Sequence, residues 1–155
     1  MKILVIGGAG FIGSHLCEAY SGNHEVTSID NYISGKTDNH IDHVEYINLD
    51  AENILSLDKK FDIIFHLGEY SRVEQSLAKV DFVLKNNISP TLNVLKFAKK
   101  SNAKLIYAGS STKFADDGKN KLKSPYSFSK WQNSELVKFY CELNQMPYAI
   151  TYFYN

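Results

Sequence analysis

The chain has 155 residues, of which 44% are hydrophobic and 22% are charged, and its 17 basic and 17 acidic side chains leave no net charge. This length suits one domain with a substantial core, and the composition is ordinary for a globular protein. A neutral balance gives no electrostatic support for a nucleic-acid or membrane partner, so neither is expected.

Strand-like and helix-like segments alternate along the chain. The β-branched and aliphatic run at residues 3–6 predicts a strand buried on both faces of a parallel sheet. A helix is predicted at residues 11–20, closed by Gly22 and Asn23, two residue types that tolerate positive φ. Further strands are predicted at residues 24–29, 44–49, 61–66, 104–108 and 148–154, and further helices at residues 80–100 and 125–143. This order predicts one α/β domain over residues 1–155, with a doubly wound Rossmann sheet of about six parallel strands and helices on both faces.

The long helical segment at residues 80–100 carries apolar side chains at spacings of three and four. This stripe consists of Leu84, Ile88, Leu92, Leu95 and Ala98. Pro90 lies inside the segment, where it removes a helical hydrogen bond, so a kink or a break is expected there. Such a stripe packs either on the sheet or on a second chain, and the pattern alone leaves both interpretations open.

A glycine-rich turn joins the first predicted strand to the first helix. Gly7, Gly10 and Gly13 follow the spacing Gly-x-x-Gly-x-x-Gly. A Cβ in this turn would obstruct the pyrophosphate of a dinucleotide, and the free N–H groups and positive end of the helix attract that group. A lone glycine pattern is weak evidence, but this one follows a strand and opens a helix, as the dinucleotide fingerprint requires. The alternative is a tight structural turn without a ligand.

Asp30 ends the second predicted strand. A carboxylate at this point accepts hydrogen bonds from the adenosine ribose and repels a 2′-phosphate, and the first basic residue after it is Lys36. The predicted cofactor is therefore NAD rather than NADP. The alternative is that Asp30 is a solvent-facing cap of the strand.

Tyr126 and Lys130 are four residues apart and therefore share one face of their predicted helix. An unperturbed phenol is a poor base at neutral pH, but a neighbouring ammonium and a positively charged nicotinamide both favour the phenolate. The phenolate can then take a proton from a substrate hydroxyl while hydride leaves to NAD. Ser110, at the end of the fifth predicted strand, can hydrogen-bond the same oxygen. The Tyr-x-x-x-Lys spacing is common by chance, and its place one helix after Ser110 makes these three residues a candidate catalytic set.

These motifs resemble the extended short-chain dehydrogenases/reductases, and specifically the NAD-dependent epimerase/dehydratase family, which acts on nucleotide sugars. The resemblance covers essentially the whole chain. Besides the residues above, it rests on Asp50, on His-Leu-Gly-Glu at residues 66–69, on Asn87, and on residues 107–112 and 152–155. It implies an NAD site formed by Gly7, Gly10, Phe11, Ile12, Gly13, Asp30, Asn31, Asp50, Ala51, Leu67, Gly68, Glu69, Asn87, Tyr126, Lys130 and Phe153. It implies that a UDP-, dTDP- or GDP-linked sugar is bound by Ser110, Ser111 and Asn155.

The chain also departs from the family at positions that bear on the reaction. Glu69 stands where the family usually has a small residue beside the nicotinamide. Ser111 and Thr112 stand where sugar dehydratases carry Asp-Glu and where the related decarboxylases carry a Glu at the second position. The resemblance therefore implies 4-epimerisation through transient oxidation at C4, with Tyr126 as general base. A dehydratase or reductase of the same family is the alternative.

Family members are longer than this chain, so the resemblance implies that their C-terminal substrate domain is absent. Three interpretations stay open: the cofactor-binding and catalytic half of an epimerase, active or inactive by itself; a non-catalytic NAD-binding module or fragment; and an interaction domain that keeps the fold without a cofactor. The resemblance further implies a homodimer through the helices that contain Asn87 and Lys130.

The remaining observations concern compartment and metal. Cys17 and Cys141 are far apart in sequence and are expected to be reduced thiols of a cytoplasmic protein. The first apolar run is too short for a signal peptide or a membrane span. No two of the five histidines have metal-ligand spacing, so no metal is predicted.

Overall fold

All six strands of the computed structural model, which describes residues 1–154, run parallel in one sheet. They are β1 (Lys2–Ile6), β2 (Glu25–Asp30), β3 (Glu45–Asn48), β4 (Ile63–His66), β5 (Lys104–Ser110) and β6 (Tyr148–Phe153). Their order across the sheet is β3-β2-β1-β4-β5-β6. This is the order of doubly wound dinucleotide-binding sheets, in which the direction of winding reverses between β1 and β4. The predicted α/β Rossmann fold is confirmed.

Four α-helices connect the strands. They are α1 (Phe11–Ser21), α2 (Val73–Leu77), α3 (Val80–Ser101) and α4 (Pro125–Leu143). The short helix α2 was not predicted, and the other three agree with their predicted ranges to within one residue. Within residues 1–154, no helix combines the length and the apolarity needed to cross a membrane.

Strand β1 shows how the sequence builds two cores. Its side chains alternate across the sheet, so Ile3 and Val5 pack with Cys17 of α1 on one face. Leu4 and Ile6 lie on the other face, in a larger cluster with apolar side chains of α3 and α4. These four side chains, at residues 3–6, are all buried because both faces of the sheet are covered. The expected placement of helices on both faces is thereby confirmed.

Helix α3 bears on two expectations. Of the kink or break expected at Pro90, the break is absent, because the helix runs continuously through this buried residue. The predicted stripe is also only partly right, because Leu95 and Ala98 are buried whereas Leu92 is exposed. The side chains that face inward include Val83, Asn87, Thr91, Val94 and Ala98. This face contains two polar residues, which a hydrophobic pattern does not detect, and burial of its apolar members offsets the hydrogen bond lost at Pro90.

The end of α1 differs from the prediction as well. Gly22 keeps right-handed backbone with φ −69°, and Asn23 is likewise not among the residues with positive φ. The N–H groups of Asn23 and His24 both donate to the carbonyl oxygen of Tyr20, so the chain enters β2 without a left-handed residue. Helix α3, in contrast, does end at a residue with left-handed backbone, Asn102, whose φ is 54°.

Candidate active site

A cleft of about 560 Å³ opens at the carboxyl ends of the parallel strands. Residues at or just after the ends of all six strands line it, namely Gly7, Asp30, Asp50, Leu67, Gly109 and Phe153. Doubly wound sheets bind their ligands at this edge, next to the point where the winding reverses. Of the sixteen residues predicted to hold NAD, the cleft is lined by Gly7, Gly10, Phe11, Ile12, Gly13, Asp30, Asn31, Asp50, Ala51, Leu67, Gly68, Glu69, Tyr126, Lys130 and Phe153, but not by Asn87.

The glycine turn forms a cradle with no room for side chains. Gly7 has φ +86°, and a Cβ on it would lie 2.8 Å from the Cα of Gly68. A Cβ on Gly13 would lie 2.1 Å from the carbonyl oxygen of Gly7, so only glycine lets α1 start this close to β1. In the described chain no side chain caps the N-terminus of α1. Its first N–H groups and the dipole of the helix therefore suit a phosphate, and the cradle fits a dinucleotide.

Asp30 is buried and held in place by the backbone. Its Oδ2 accepts a hydrogen bond from the N–H of Ala9 at 3.0 Å, and its Oδ1 accepts one from the N–H of Tyr32 at 2.8 Å. The interpretation of Asp30 as a solvent-facing strand cap is therefore wrong. Both bonded oxygens keep further lone pairs for a ligand hydroxyl. The neighbouring Asn31 donates to Asp50 at 2.8 Å, which ties the ends of β2 and β3 together at the same rim of the cleft.

Tyr126 and Lys130 occupy the first two turns of α4, and both line the cleft. The helix starts at a definite point because Ser124 caps it, accepting a hydrogen bond from the N–H of Ser127 at 3.1 Å, and Pro125 fits the first turn. The N–H of Tyr126 also donates to the Oγ of Ser76 at 3.4 Å. The predicted Tyr/Lys pair is therefore brought to the same cavity as the glycine cradle.

Ser110 and Ser111, which were predicted to take part in catalysis or to bind the sugar, do not line the cleft. Ser110 is buried at the end of β5, where its Oγ accepts hydrogen bonds from the N–H and the Oγ1 of Thr112 at 3.3 and 3.0 Å. Neither Ser110 nor Ser111 belongs to the lining of the cleft, and in the described residues no hydrogen bond joins Ser110 to Tyr126. Asn155, the third residue predicted to bind the sugar, lies outside the described residues.

Asn87 is also placed differently from a cofactor contact. It is fully buried, and its Oδ1 accepts a hydrogen bond from the N–H of Tyr70 at 2.8 Å. Its Nδ2 donates to the carbonyl oxygen of Tyr70 at 3.2 Å and to the Oγ of Ser129 at 2.9 Å. Asn87 therefore joins α3 to α4 and to the loop after β4 that forms one wall of the cleft.

Glu69 lies at the centre of a buried polar network at the Tyr126 end of the cleft. Its Oε2 accepts a hydrogen bond from the Nζ of Lys130 at 2.8 Å, in an ion pair whose side chains are only 1% and 7% exposed. The carboxylate also accepts hydrogen bonds from Thr91 at 2.8 Å, Asn133 at 2.9 Å and Tyr107 at 3.0 Å. Lys130 donates in addition to the carbonyl oxygen of Ala108.

This network keeps Glu69 charged. Burial acts to raise the pKa of Glu69, but Lys130 and the hydrogen bonds outweigh burial and hold that pKa below its ordinary value.

His66 lies nearby, with its Nε2 2.9 Å from the Oγ1 of Thr91 and 3.7 Å from Glu69. Burial lowers the pKa of His66 to about 4, so this imidazole is neutral at physiological pH.

The buried His66 predicts a loss of stability in mild acid. The unfolded chain takes up a proton on His66 near pH 6.5, whereas the folded chain excludes it until about pH 4. The free energy of unfolding should therefore fall by about 3 kcal/mol over this range because of His66 alone. Urea unfolding at a series of pH values measures it. His66→Gln should flatten the curve and His15→Gln, on the exposed surface of α1, should not; equal curves for His66→Gln and the unsubstituted chain would contradict the assignment.

Sequence analysis identified Glu69 but missed the residues around it. Thr91, Tyr107 and Asn133 come from α3, β5 and α4, far apart in sequence. A signal was available in α3 and α4, because Asn87 and Thr91 are polar residues four apart, as are Ser129 and Asn133. Polar residues at helical spacing that face another helix indicate a buried network, and here they surround the one acidic residue that departs from the family pattern.

The sheet order, the glycine cradle and the buried Asp30 define a dinucleotide-binding protein of the Rossmann type. The model of the NAD dependent epimerase/dehydratase family matches residues 3–155. The chain belongs to this family, and NAD is its cofactor.

Several known proteins similar to this chain are named for reactions of UDP-sugars. The UDP-N-acetyl-alpha-D-glucosaminuronate decarboxylase of Bacillus cytotoxicus is 29% identical over 99% of this chain and 54% of its own length. A UDP-N-acetylglucosamine 4-epimerase from Methanobrevibacter ruminantium, solved in complex with UDP-N-acetylmuramic acid, superposes with a TM-score of 0.83 at 30% identity, over 96% of this chain and 53% of its own. The enzyme WbmF of Bordetella bronchiseptica, solved with NAD+, has a TM-score of 0.89 at 26% identity, over 99% of this chain and 49% of its own. The chain thus spans about half the length of the relatives it matches.

Proposed function

We propose that this chain carries the NAD-binding and proton-transferring part of a nucleotide-sugar 4-epimerase. One observation carries the proposal: Tyr126 and Lys130 line the same cleft as the glycine cradle and Asp30. A base and a dinucleotide site in one cavity are what a reversible oxidation of a hydroxyl needs. Similarity to a solved UDP-sugar 4-epimerase supports the sugar nucleotide as substrate.

Different residues of the cleft would bind different parts of NAD. Asp30 accepts hydrogen bonds from the adenosine ribose, and the N-terminus of α1 holds the pyrophosphate. The nicotinamide end would then lie near Tyr126, Lys130 and Glu69, which line the same cleft. NAD, when bound, supplies reversible hydride transfer.

Tyr126 moves the proton in this scheme. Its phenolic oxygen takes the proton of the C4 hydroxyl and returns it after the keto-sugar has turned. Lys130, one helical turn away, favours the phenolate through its ammonium, and its pairing with Glu69 weakens this effect. Ser110 only accepts hydrogen bonds from Thr112, so its own hydroxyl proton stays available to donate to a sugar oxygen.

Loss of the phenolic hydroxyl tests the proposal. We expect Tyr126→Phe to lower conversion of UDP-glucose, UDP-galactose or their N-acetyl forms at least about a hundredfold, because general bases contribute about 10² to 10⁴ in rate. Tyr140→Phe is the matched control, since Tyr140 lies on the same helix but packs against the core. Interconversion is followed by chromatography of the sugar nucleotides. Equal conversion by Tyr126→Phe and Tyr140→Phe would remove Tyr126 from the mechanism.

A non-catalytic NAD-binding module is the second candidate. It is favoured by the engagement of Lys130 with Glu69, which holds the ammonium in a buried pair. This candidate predicts that NAD raises the melting temperature and that UDP-sugars do not. Conversion of any UDP-sugar by the chain rules it out.

The assembly and location of the chain are also proposals. A homodimer through α3 and α4 is supported by their side-by-side packing and by the exposed side chains of Leu92, Phe139 and Leu143 on these helices. A cytoplasmic location is supported by Cys17 and Cys141, which are both free thiols.

A further inference from the structure

The geometry points to Glu69 as the residue that sets the preference of this chain between NAD+ and NADH. The inference rests on the proposed binding of the dinucleotide in the cleft. It goes beyond that proposal because it concerns the oxidation state of the cofactor, which the glycine cradle and Asp30 do not distinguish.

NAD+ and NADH differ at one end only. The nicotinamide ring of NAD+ carries a positive charge that NADH lacks, whereas the adenosine and the pyrophosphate are the same in both. Asp30 and the N-terminus of α1 therefore bind the two forms alike. Any preference must come from charges near the nicotinamide, and the cleft places Glu69 and Lys130 at that end.

Lys130 alone would disfavour the oxidised cofactor. Its ammonium is 7% exposed, so water screens it little, and it would repel a positive ring in the same cavity. Glu69 removes this repulsion because its carboxylate lies 2.8 Å from the ammonium and forms a pair with no net charge. The nicotinamide of NAD+ therefore meets a neutral pair rather than a cation.

Within residues 1–154, no second charged side chain at physiological pH contacts the Glu69 carboxylate besides Lys130. The side chains that surround Glu69 are His66 on β4, Thr91 on α3, Tyr107 on β5, and Lys130 and Asn133 on α4. His66 is neutral at physiological pH, and Thr91, Tyr107 and Asn133 only donate hydrogen bonds to the carboxylate. Glu69 and Lys130 together thus decide the net charge of this buried network, and Arg72, on the same loop as Glu69, also lines the cleft but lies outside the network.

The test measures the dissociation constants of NAD+, NADH and ADP-ribose by titration calorimetry on the chain and its variants, after co-purified cofactor has been stripped. Glu69→Gln leaves Lys130 unpaired, so the ratio of the NAD+ to the NADH dissociation constant should rise by about tenfold or more. The affinity for ADP-ribose, which lacks the nicotinamide, should change little. Glu135→Gln is the matched control, since it breaks the surface pair with Lys113 at 2.6 Å and leaves the ratio unchanged.

A charge cycle separates the effect of charge from a structural effect. Lys130→Met leaves a net negative charge and should shift the ratio in favour of NAD+, whereas Lys130→Met combined with Glu69→Gln restores neutrality and should return the ratio to that of the unsubstituted chain. If Glu69→Gln alone does not fold, the comparison of Lys130→Met with the double variant still measures the effect of Glu69 on the ratio. A ratio that does not follow the net charge, or an equal loss for all three ligands, overturns the inference. Failure of the unsubstituted chain to bind any of the three overturns the proposed cofactor site itself, and the inference with it.

Discussion

Gly13→Ala is expected to abolish NAD binding and to lower the free energy of unfolding by about 3 kcal/mol or more. The added Cβ would lie 2.1 Å from the carbonyl oxygen of Gly7 and 2.7 Å from the Cα of Gly8. Both contacts are with backbone, so no side chain can rotate away to relieve them. Helix α1 has to move off the end of β1, which takes its N-terminal N–H groups away from the pyrophosphate position.

Calorimetric titration with NAD and urea unfolding measure the two effects of Gly13→Ala. Gly22→Ala provides the control at the other end of the same helix. Gly22 has φ −69°, and a Cβ on it meets nothing within 4 Å. This control should be neutral or should stabilise the chain by about 0.4 to 1 kcal/mol, since alanine restricts the unfolded chain. Unchanged NAD affinity in Gly13→Ala would show that the cradle is not the phosphate site.

Lys130→Met should destabilise the chain by about 3 to 5 kcal/mol, because it leaves the carboxylate of Glu69 buried without its counter-ion. The pair is almost wholly shielded from water, and removal of one partner from such a pair costs far more than the pair contributes. Lys113→Met removes the lysine of the pair with Glu135, whose side chains are 25% and 48% exposed, and should cost at most about 1 kcal/mol.

The pH dependence of the Lys130→Met effect identifies its cause. Without the ammonium, burial alone acts on Glu69 and raises its pKa, so the carboxylate takes up a proton at a higher pH than in the unsubstituted chain. The difference in unfolding free energy between the two proteins should therefore shrink as the pH falls. Urea unfolding at several pH values measures this difference. A cost that is small, or that does not depend on pH, would mean that the carboxylate reaches water and that the network is not closed.

Much of the fold follows from local patterns. The apolar run of β1, the glycines behind it and the alternation of strands with helices are each readable within a short stretch of sequence, because strand burial and tight turns depend on neighbouring residues. The same holds for Asp30, whose place at a strand end predicts its place at the cleft, and for Tyr126 and Lys130, whose spacing places them on one helical face.

The errors lie where distant segments decide the outcome. The buried face of α3 was misjudged because Asn87 and Thr91 are polar, and their burial is stable only through partners on the loop after β4 and on α4.

The sequence by itself determined that this chain is a Rossmann domain with a glycine cradle, an acidic residue at the end of β2 and a Tyr/Lys pair on one helix. Each of these is set by residues close together in the chain or by the regular geometry of one helix or strand. Only the tertiary structure decided that Lys130 is paired with Glu69 inside a closed network. A buried ion pair depends on which side chains meet and on how much water they exclude, and both follow from the packing of β4, β5, α3 and α4 together.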